Sequence, residues 1–261
     1  MPVHLSVDHD GVAHLTLARS EKRNALDRAM LEDLRRCVAS IAERDDVIAL
    51  VVRGEGGVFC AGADIGDWVA PTHDAAAELS RLGQDAFSAL AALPVVSVAV
   101  IEGVAVGGGL ELALACDLRI AACDARLGLP ELALGNLPAW GGTARLADVA
   151  GLGVTRQLLL TGELISGERA AELHVVTSAH PSETLPEAVA ACIDRLRSSE
   201  PYATSLAKQV LDELTSVLGV EAALAGYTAC LDTSRQRKQA FLDQRAAAKA
   251  AQATRMTGVS S

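Results

Sequence analysis

Polar and apolar residues alternate over Leu5–Asp8 and Val12–Leu17, on either side of Asp10-Gly11. Two alternating runs joined by an Asp-Gly pair predict a β-hairpin. From Leu26 onward the apolar positions change period, recurring at Met30, Leu34, Cys37, Val38 and Ile41. That spacing predicts an amphipathic helix, with Asp27 placed to cap it. Val47–Val52 is a continuous run of apolar residues, the pattern of a strand covered on both faces. The same order then repeats. Ala75–Leu93 reads as a helix stopped by Pro94, Val95–Ile101 as a second buried strand and Leu110–Cys116 as a short helix. Leu118–Ala121 and Arg126–Leu129 read as further short strands. Such alternation implies a mostly parallel sheet with crossover helices.

Beyond Gly151 the pattern turns helical, over Val154–Thr161, Ser166–Leu173, Leu185–Ser198, Tyr202–Leu218 and Val220 to about Lys249, with one short strand at Val175–Ser178. Residues 246–261 contain good helix formers without an apolar stripe, which predicts a frayed end. The expected division is an α/β core over residues 1–195 and a helical region over 196–261.

Composition narrows the function classes. Half of the 261 residues are hydrophobic but only 3% are aromatic, so Ala, Leu and Val fill the core and base-stacking platforms are not expected. A net charge of −10 repels a nucleic-acid backbone, and any anionic ligand must be held by local geometry. The six cysteines form no CxxC pair and sit in apolar stretches, which points to reduced thiols and a cytoplasmic setting. The N-terminus shows no basic and apolar leader. The stretch Ala86–Cys116 is interrupted by Pro94, Glu102, three glycines and Glu111, so no membrane span is expected. His4, His9, His14, His73, His174 and His180 lie at no metal-ligand spacing, and no metal site is expected. Gly151-Leu-Gly153-Val-Thr-Arg156 lacks the third glycine of a dinucleotide fingerprint and reads as a loop.

Two glycine-rich turns follow strands. Phe59-Cys60-Ala61-Gly62-Ala63-Asp64-Ile65 comes after the first buried strand, and its small residues let a backbone approach a ligand. Gly103 to Glu111, with Gly107-Gly108-Gly109, comes after the second and opens a helix. There, unpaired N–H groups at the positive end of the helix dipole suit an anion. Taken singly, each turn also fits tight packing. Glu111 alone would gain roughly 0.3–1 kcal/mol from the dipole without any catalytic duty. Glu131, in Leu129-Pro130-Glu131-Leu132, alone reads as a solvated loop carboxylate.

Four segments in order resemble the crotonase superfamily, typified by enoyl-CoA hydratases, from the hairpin to about Arg245. Arg19-Ser-Glu-Lys-Arg-Asn24-Ala25-Leu26 resembles the loop beside the CoA nucleotide. Phe59–Ile65 and Gly107-Gly-Gly-Leu-Glu111-Leu-Ala resemble the two oxyanion-hole segments, and Leu129 to Thr143 the second catalytic segment. The resemblance implies a crotonase-like ββα spiral core with a helical C-terminal trimerisation region, hence a homotrimer or a dimer of trimers. It implies oxyanion-hole amides at Ala63 and Gly108, Glu111 as the base on water and Glu131 as the acid at Cα. CoA is expected against Lys22, Arg23, Ala25, Ala61, Ala63, Asp64 and Ile65. The implied reaction is reversible syn hydration of a 2-enoyl-CoA thioester to a 3-hydroxyacyl-CoA, a lyase activity of fatty acid metabolism. CoA belongs to the substrate, and no cofactor, nucleic acid or membrane partner is implied. The alternatives are enoyl-CoA isomerisation, C–C hydrolysis, an arylacyl-CoA lyase or a non-catalytic CoA-binding or assembly protein.

The chain departs from the family pattern at Ser20, where Pro is usual, and at Ala139-Trp140, where Gly follows Pro138. Gln236-Arg237 and Gln244 also differ from the family's closing helix around Ala240-Phe241-Leu242. Trp68 and Trp140 are expected to shorten or shape the acyl pocket.

Overall fold

The Asp10-Gly11 turn joins β1 (Val3–Val7) to β2 (Val12–Leu17) as an antiparallel hairpin, with Gly11 at φ 80°. Asp27 caps α1 (Arg28–Ala42), its Oδ1 accepting from Met30 N–H at 2.9 Å. The helix buries the predicted stripe, Met30, Leu34, Cys37, Val38 and Ile41. The structure, a computed structural model, describes residues 2–68, 73–212 and 243.

The buried runs become parallel strands because side chains on both faces are covered. β3 (Ala49–Gly54) pairs with β2, and β4 (Val96–Ile101) with β3, both parallel. α2 (His73–Ala91) lies between β3 and β4 in the chain and packs on α1. β6 (Leu118–Ala122) and β9 (Ser178–His180) extend the sheet in parallel to the order β1-β2-β3-β4-β6-β9. A second, three-stranded sheet holds β5 (Val104–Val106), β7 (Arg126–Gly128) and β8 (Ile165–Ser166) in the order β5-β7-β8. α3 (Gly108–Leu114) leaves β5 through Gly107 and is buried along its whole length. This is the α/β architecture that the alternation predicts.

Three local readings differ. The helix expected at Val154 begins at Gly142 as α4 (Gly142–Thr161), and the segment expected as a loop lies inside it. Only Gly151 departs from helical geometry, at φ 78° and ψ 161°, a conformation glycine adopts without side-chain strain. The last core strand lies after the apolar pair Val175-Val176. Those two N–H groups both turn back to Ala170 O, closing α5 (Gly167–Glu172) in place of joining a ladder. β5 and β8 are too short to show a period. α6 (Leu185–Ser198) follows the pattern, and α7 (Pro201–Asp212) covers the described part of the next expected helix.

Contacts divide the chain into units of residues 1–198 and 199–261. The expected helix from Val220, the segments around Gln236-Arg237 and Ala240-Phe241-Leu242, Gln244, Arg245, the expected frayed tail and the Trp68 side chain lie outside the described residues. The five described cysteines are free thiols. Among the described residues no helix is long and apolar enough to cross a membrane.

Candidate active site

The segment after β3 crosses the molecule as a strap between two neighbours. Ala61 N–H donates to Arg23 O at 3.0 Å, Leu26 N–H to Gly62 O at 2.8 Å and Asp64 N–H to Leu26 O at 2.8 Å. On its other side Cys60 N–H donates to Val104 O and Val106 N–H to Cys60 O, at 2.9 and 3.2 Å. In the parallel bridge between Leu26 and Ala63, Leu26 pairs with the residues on either side of Ala63, so the Ala63 N–H points away from that ladder. Gly107, at φ 54° and ψ −129°, turns β5 into α3 in a conformation that excludes a side chain. Its N–H is taken by Gly128 O at 2.9 Å. Gly108 opens the helix, where an N–H has no partner one turn back. A Cβ on Gly108 would stand 3.3 Å from Ala63 N, so the two expected donors lie side by side.

Glu111, one turn into α3, is 2% exposed. Its Oε1 accepts from Trp140 N–H and Gly142 N–H, both at 2.8 Å, which fixes the carboxylate. Burial leaves its pKa raised overall, although those two bonds and the nearby Arg145 guanidinium pull it down. Glu131 begins a short 3-10 turn, Glu131–Leu134, and its carboxylate abuts Gly107. Both of its oxygens are buried without a hydrogen-bond partner among the described residues. Burial above all, with the Glu111 charge adding to it against the lowering effect of Glu131's own backbone N–H, pushes its pKa from 4.5 up to about 7. One carboxylate therefore accepts two backbone amide bonds at 2.8 Å, and the other accepts no such bond. Unequal environments set apart the proton affinities of paired acids.

Ala61, Gly62, Ala63, Gly108, Glu111, Glu131 and Trp140 line one cavity of about 570 Å³. Of the residues expected against CoA, Ala61, Ala63 and Ile65 line this cavity, and Ile65 stands exposed at 59%. Lys22 and Arg23 are exposed outside its lining, joined to it through the Arg23–Ala61 backbone bond. Ala25 is half-buried and its carbonyl accepts from Arg19 Nη1 at 3.1 Å. Asp64 does not face the cavity: its Oδ2 pairs with Arg19 Nη1 at 2.8 Å. Its pKa is lowered, chiefly by the Gly66 N–H bond, with Arg19 adding to the effect. Among the described residues no group of three or more His, Cys, Asp or Glu could hold a metal ion.

Several residues to which the sequence assigns no individual role position the site. Arg19 also reaches Asp27 Oδ2 at 3.2 Å, tying the first loop to the strap that carries Ala63. Asn24 is fully buried at φ 58°. Its Nδ2 donates to Glu55 O and Val58 O, at 3.0 and 2.6 Å, and its Oδ1 accepts from Arg19 N–H at 3.0 Å. Arg145 Nη1 donates to Trp140 O at 2.9 Å, holding the turn whose amides meet Glu111.

A family model described as enoyl-CoA hydratase/isomerase matches residues 8–248. A crotonyl-CoA hydratase of Syntrophomonas wolfei is 33% identical over 243 residues, covering 90% of this chain and 93% of that protein. An enoyl-CoA isomerase/hydratase of Mycosarcoma maydis is 32% identical over 248 residues, 90% of each chain. The crystal structure of an enoyl-CoA hydratase from Bacillus anthracis matches with a TM-score of 0.89 at 30% identity, covering 94% of this chain and 97% of that one.

Proposed function

The chain belongs to the enoyl-CoA hydratase/isomerase family, and from that premise we propose that it adds water reversibly across the double bond of a 2-enoyl-CoA thioester. The observation that carries this reading is the unequal pair of glutamates on one cavity beside the Ala63 and Gly108 amides. Isomerisation needs one group to shuttle a proton; hydration needs an acid and a base at once.

In this reading the thioester oxygen accepts from the two amides, which stabilise it as negative charge develops. Glu111, held in place by the Trp140 and Gly142 N–H groups, takes a proton from water as its oxygen attacks Cβ. Glu131, whose unsolvated carboxyl holds its proton to about pH 7, gives that proton to Cα. The hydroxyl ends on Cβ, one hydrogen on Cα, and the thioester carbonyl is restored. CoA leaves with the product, so the scheme requires no separate cofactor. The Syntrophomonas wolfei relative is named a crotonyl-CoA hydratase, and the proposed substrates include crotonyl-CoA itself.

The deciding experiment follows loss of enoyl absorbance over a panel of CoA thioesters, with a 3-enoyl-CoA included for isomerisation. Hydration of crotonyl-CoA is expected. Conversion of the 3-enoyl-CoA alone would assign the site to isomerisation. A structure with a bound acyl-CoA is expected to show the carbonyl oxygen about 2.7–3.1 Å from Ala63 N and Gly108 N. The proposal extends to CoA held by the Lys22–Ala25 loop, to a cytoplasmic protein, and to assembly in threes through residues 196–261. Light scattering at working concentration tests the assembly.

A further inference from the structure

The Trp140 indole fills a slot between α2 and α3. A Cβ on Gly83 would lie 2.3 Å from its Cδ1 and Nε1, and one on Gly108 would lie 2.3 Å from its Cζ3. Phe87 meets the ring edge-on, with centroids 5.5 Å apart and planes at 81°. The residue is 2% exposed and lines the cavity with Gly108 and Glu111. Among the described residues its Nε1 has no hydrogen-bond partner, so shape alone holds the ring. The backbone is tied on every side. Trp140 N–H donates to Glu111 Oε1, Trp140 O accepts from Arg145, and Ala139 O accepts from Gln84 Nε2 of α2 at 2.8 Å. The wall of the cavity and a donor that orients Glu111 are therefore one residue.

Resting on the enoyl-CoA reading of the site, we propose that Trp140 couples acyl-chain length to turnover, as specificity wall and as positioning residue for Glu111. An acyl group with its carbonyl at the Ala63 and Gly108 amides and its Cβ between the glutamates continues toward the ring that borders Gly108. A short chain ends before the indole. A longer chain is still bound through CoA, but it presses on a ring packed closely against the backbone at Gly83 and Gly108. The strain passes to the Trp140 N–H and loosens the Glu111 carboxylate, so chain length is read more in kcat than in KM.

The test compares crotonyl-CoA with the corresponding hexenoyl and decenoyl thioesters, in the parent and in Trp140→Phe and Trp140→Ala. In the parent, kcat is expected to fall by about 10-fold or more from the shortest to the longest chain, with KM changing by less than about threefold. Both variants are expected to raise the long-to-short kcat ratio, Trp140→Ala by about 10-fold. Discrimination wholly in KM, or an unchanged kcat ratio in both variants, overturns the proposal.

Should the parent hydrate no enoyl-CoA, the hydration reading fails, and a second measurement still decides the wall. The chain has only two tryptophans, so Trp68→Phe leaves Trp140 as the sole indole reporter. Saturated decanoyl-CoA is expected to shift its emission while butyryl-CoA leaves it unchanged. Equal responses to the two thioesters overturn the proposal whatever the reaction.

Discussion

Gly83, in the interior of α2, and Trp140, in the turn before α4, are shaped to each other: a Cβ at Gly83 would sit 2.3 Å from the indole Cδ1 and Nε1. A glycine inside a helix ordinarily costs about 0.5–1 kcal/mol relative to alanine. Here the usual sign reverses. Gly83→Ala is expected to lower stability, because overpacking costs roughly 1–3 kcal/mol and outweighs the gain in helix propensity. Chemical denaturation measures the sign directly, and a stabilised variant would show that the ring has room to move.

Glu111→Gln and Glu131→Gln are each expected to lower kcat by about 10² or more with smaller changes in KM, since each removes a proton transfer and spares the binding surface. Glu111→Gln keeps an oxygen able to accept from Trp140 and Gly142, so its fold should survive. Steady-state kinetics on crotonyl-CoA checks both, and near-normal turnover by either variant refutes its assigned role.

The Glu131 carboxyl titrates near pH 7 in the folded protein against an ordinary 4.5. Hydration needs it protonated, so kcat/KM for hydration is expected to decline as pH rises through about 7. Stability follows the same sign. Between 4.5 and about 7 the unfolded chain gives up this proton and the folded chain keeps it, so folding weakens as pH rises across that window. Glu131→Gln should flatten this part of the Tm-against-pH curve. An equal slope in parent and variant would locate the titration elsewhere.

Gly108→Ala places a methyl 2.3 Å from the Trp140 ring and 3.3 Å from Ala63 N, at the mouth of the two-amide site. The N–H of residue 108 remains, but relieving that overlap moves it from its place beside Ala63 N, and a displacement of about 1 Å can cost about 10²-fold, the fall in kcat expected here. Gly57→Ala is the contrasting control: Gly57, unlike Gly108, has positive φ, 69°, and nothing lies within 4 Å of its Cβ position, so backbone strain should lower stability while kcat holds.

Arg19 binds Asp64 and Asp27 with one nitrogen, at 2.8 and 3.2 Å. Arg19→Ala frees the strap bearing Ala63, and misplacing a reacting geometry by about 1 Å can cost about 10²-fold. A fall in kcat exceeding any rise in KM is expected. A change confined to Tm would reduce Arg19 to a structural tie.

Much of the fold is legible along the chain because its signals are local. Asp10-Gly11 needs only its own backbone freedom to make a hairpin, Asp27 only the next turn to make a cap, and Ala49–Val52 only burial on both faces to make a strand. The candidate site is half legible in the same way: the glycines and glutamates stand in recognisable segments, and their spacing puts amides at a helix start. What those groups experience depends on residues distant in sequence. Glu111 and Glu131 are the same residue type, yet one accepts two amide bonds from a turn 29 and 31 positions away while the other has both oxygens stranded beside Gly107. Gly83 and Trp140 likewise make sense only together, across the space between α2 and the turn before α4. Periodicity reports which face a side chain takes; proton affinity and cavity shape come from what packs against that face, and only the tertiary structure decides that.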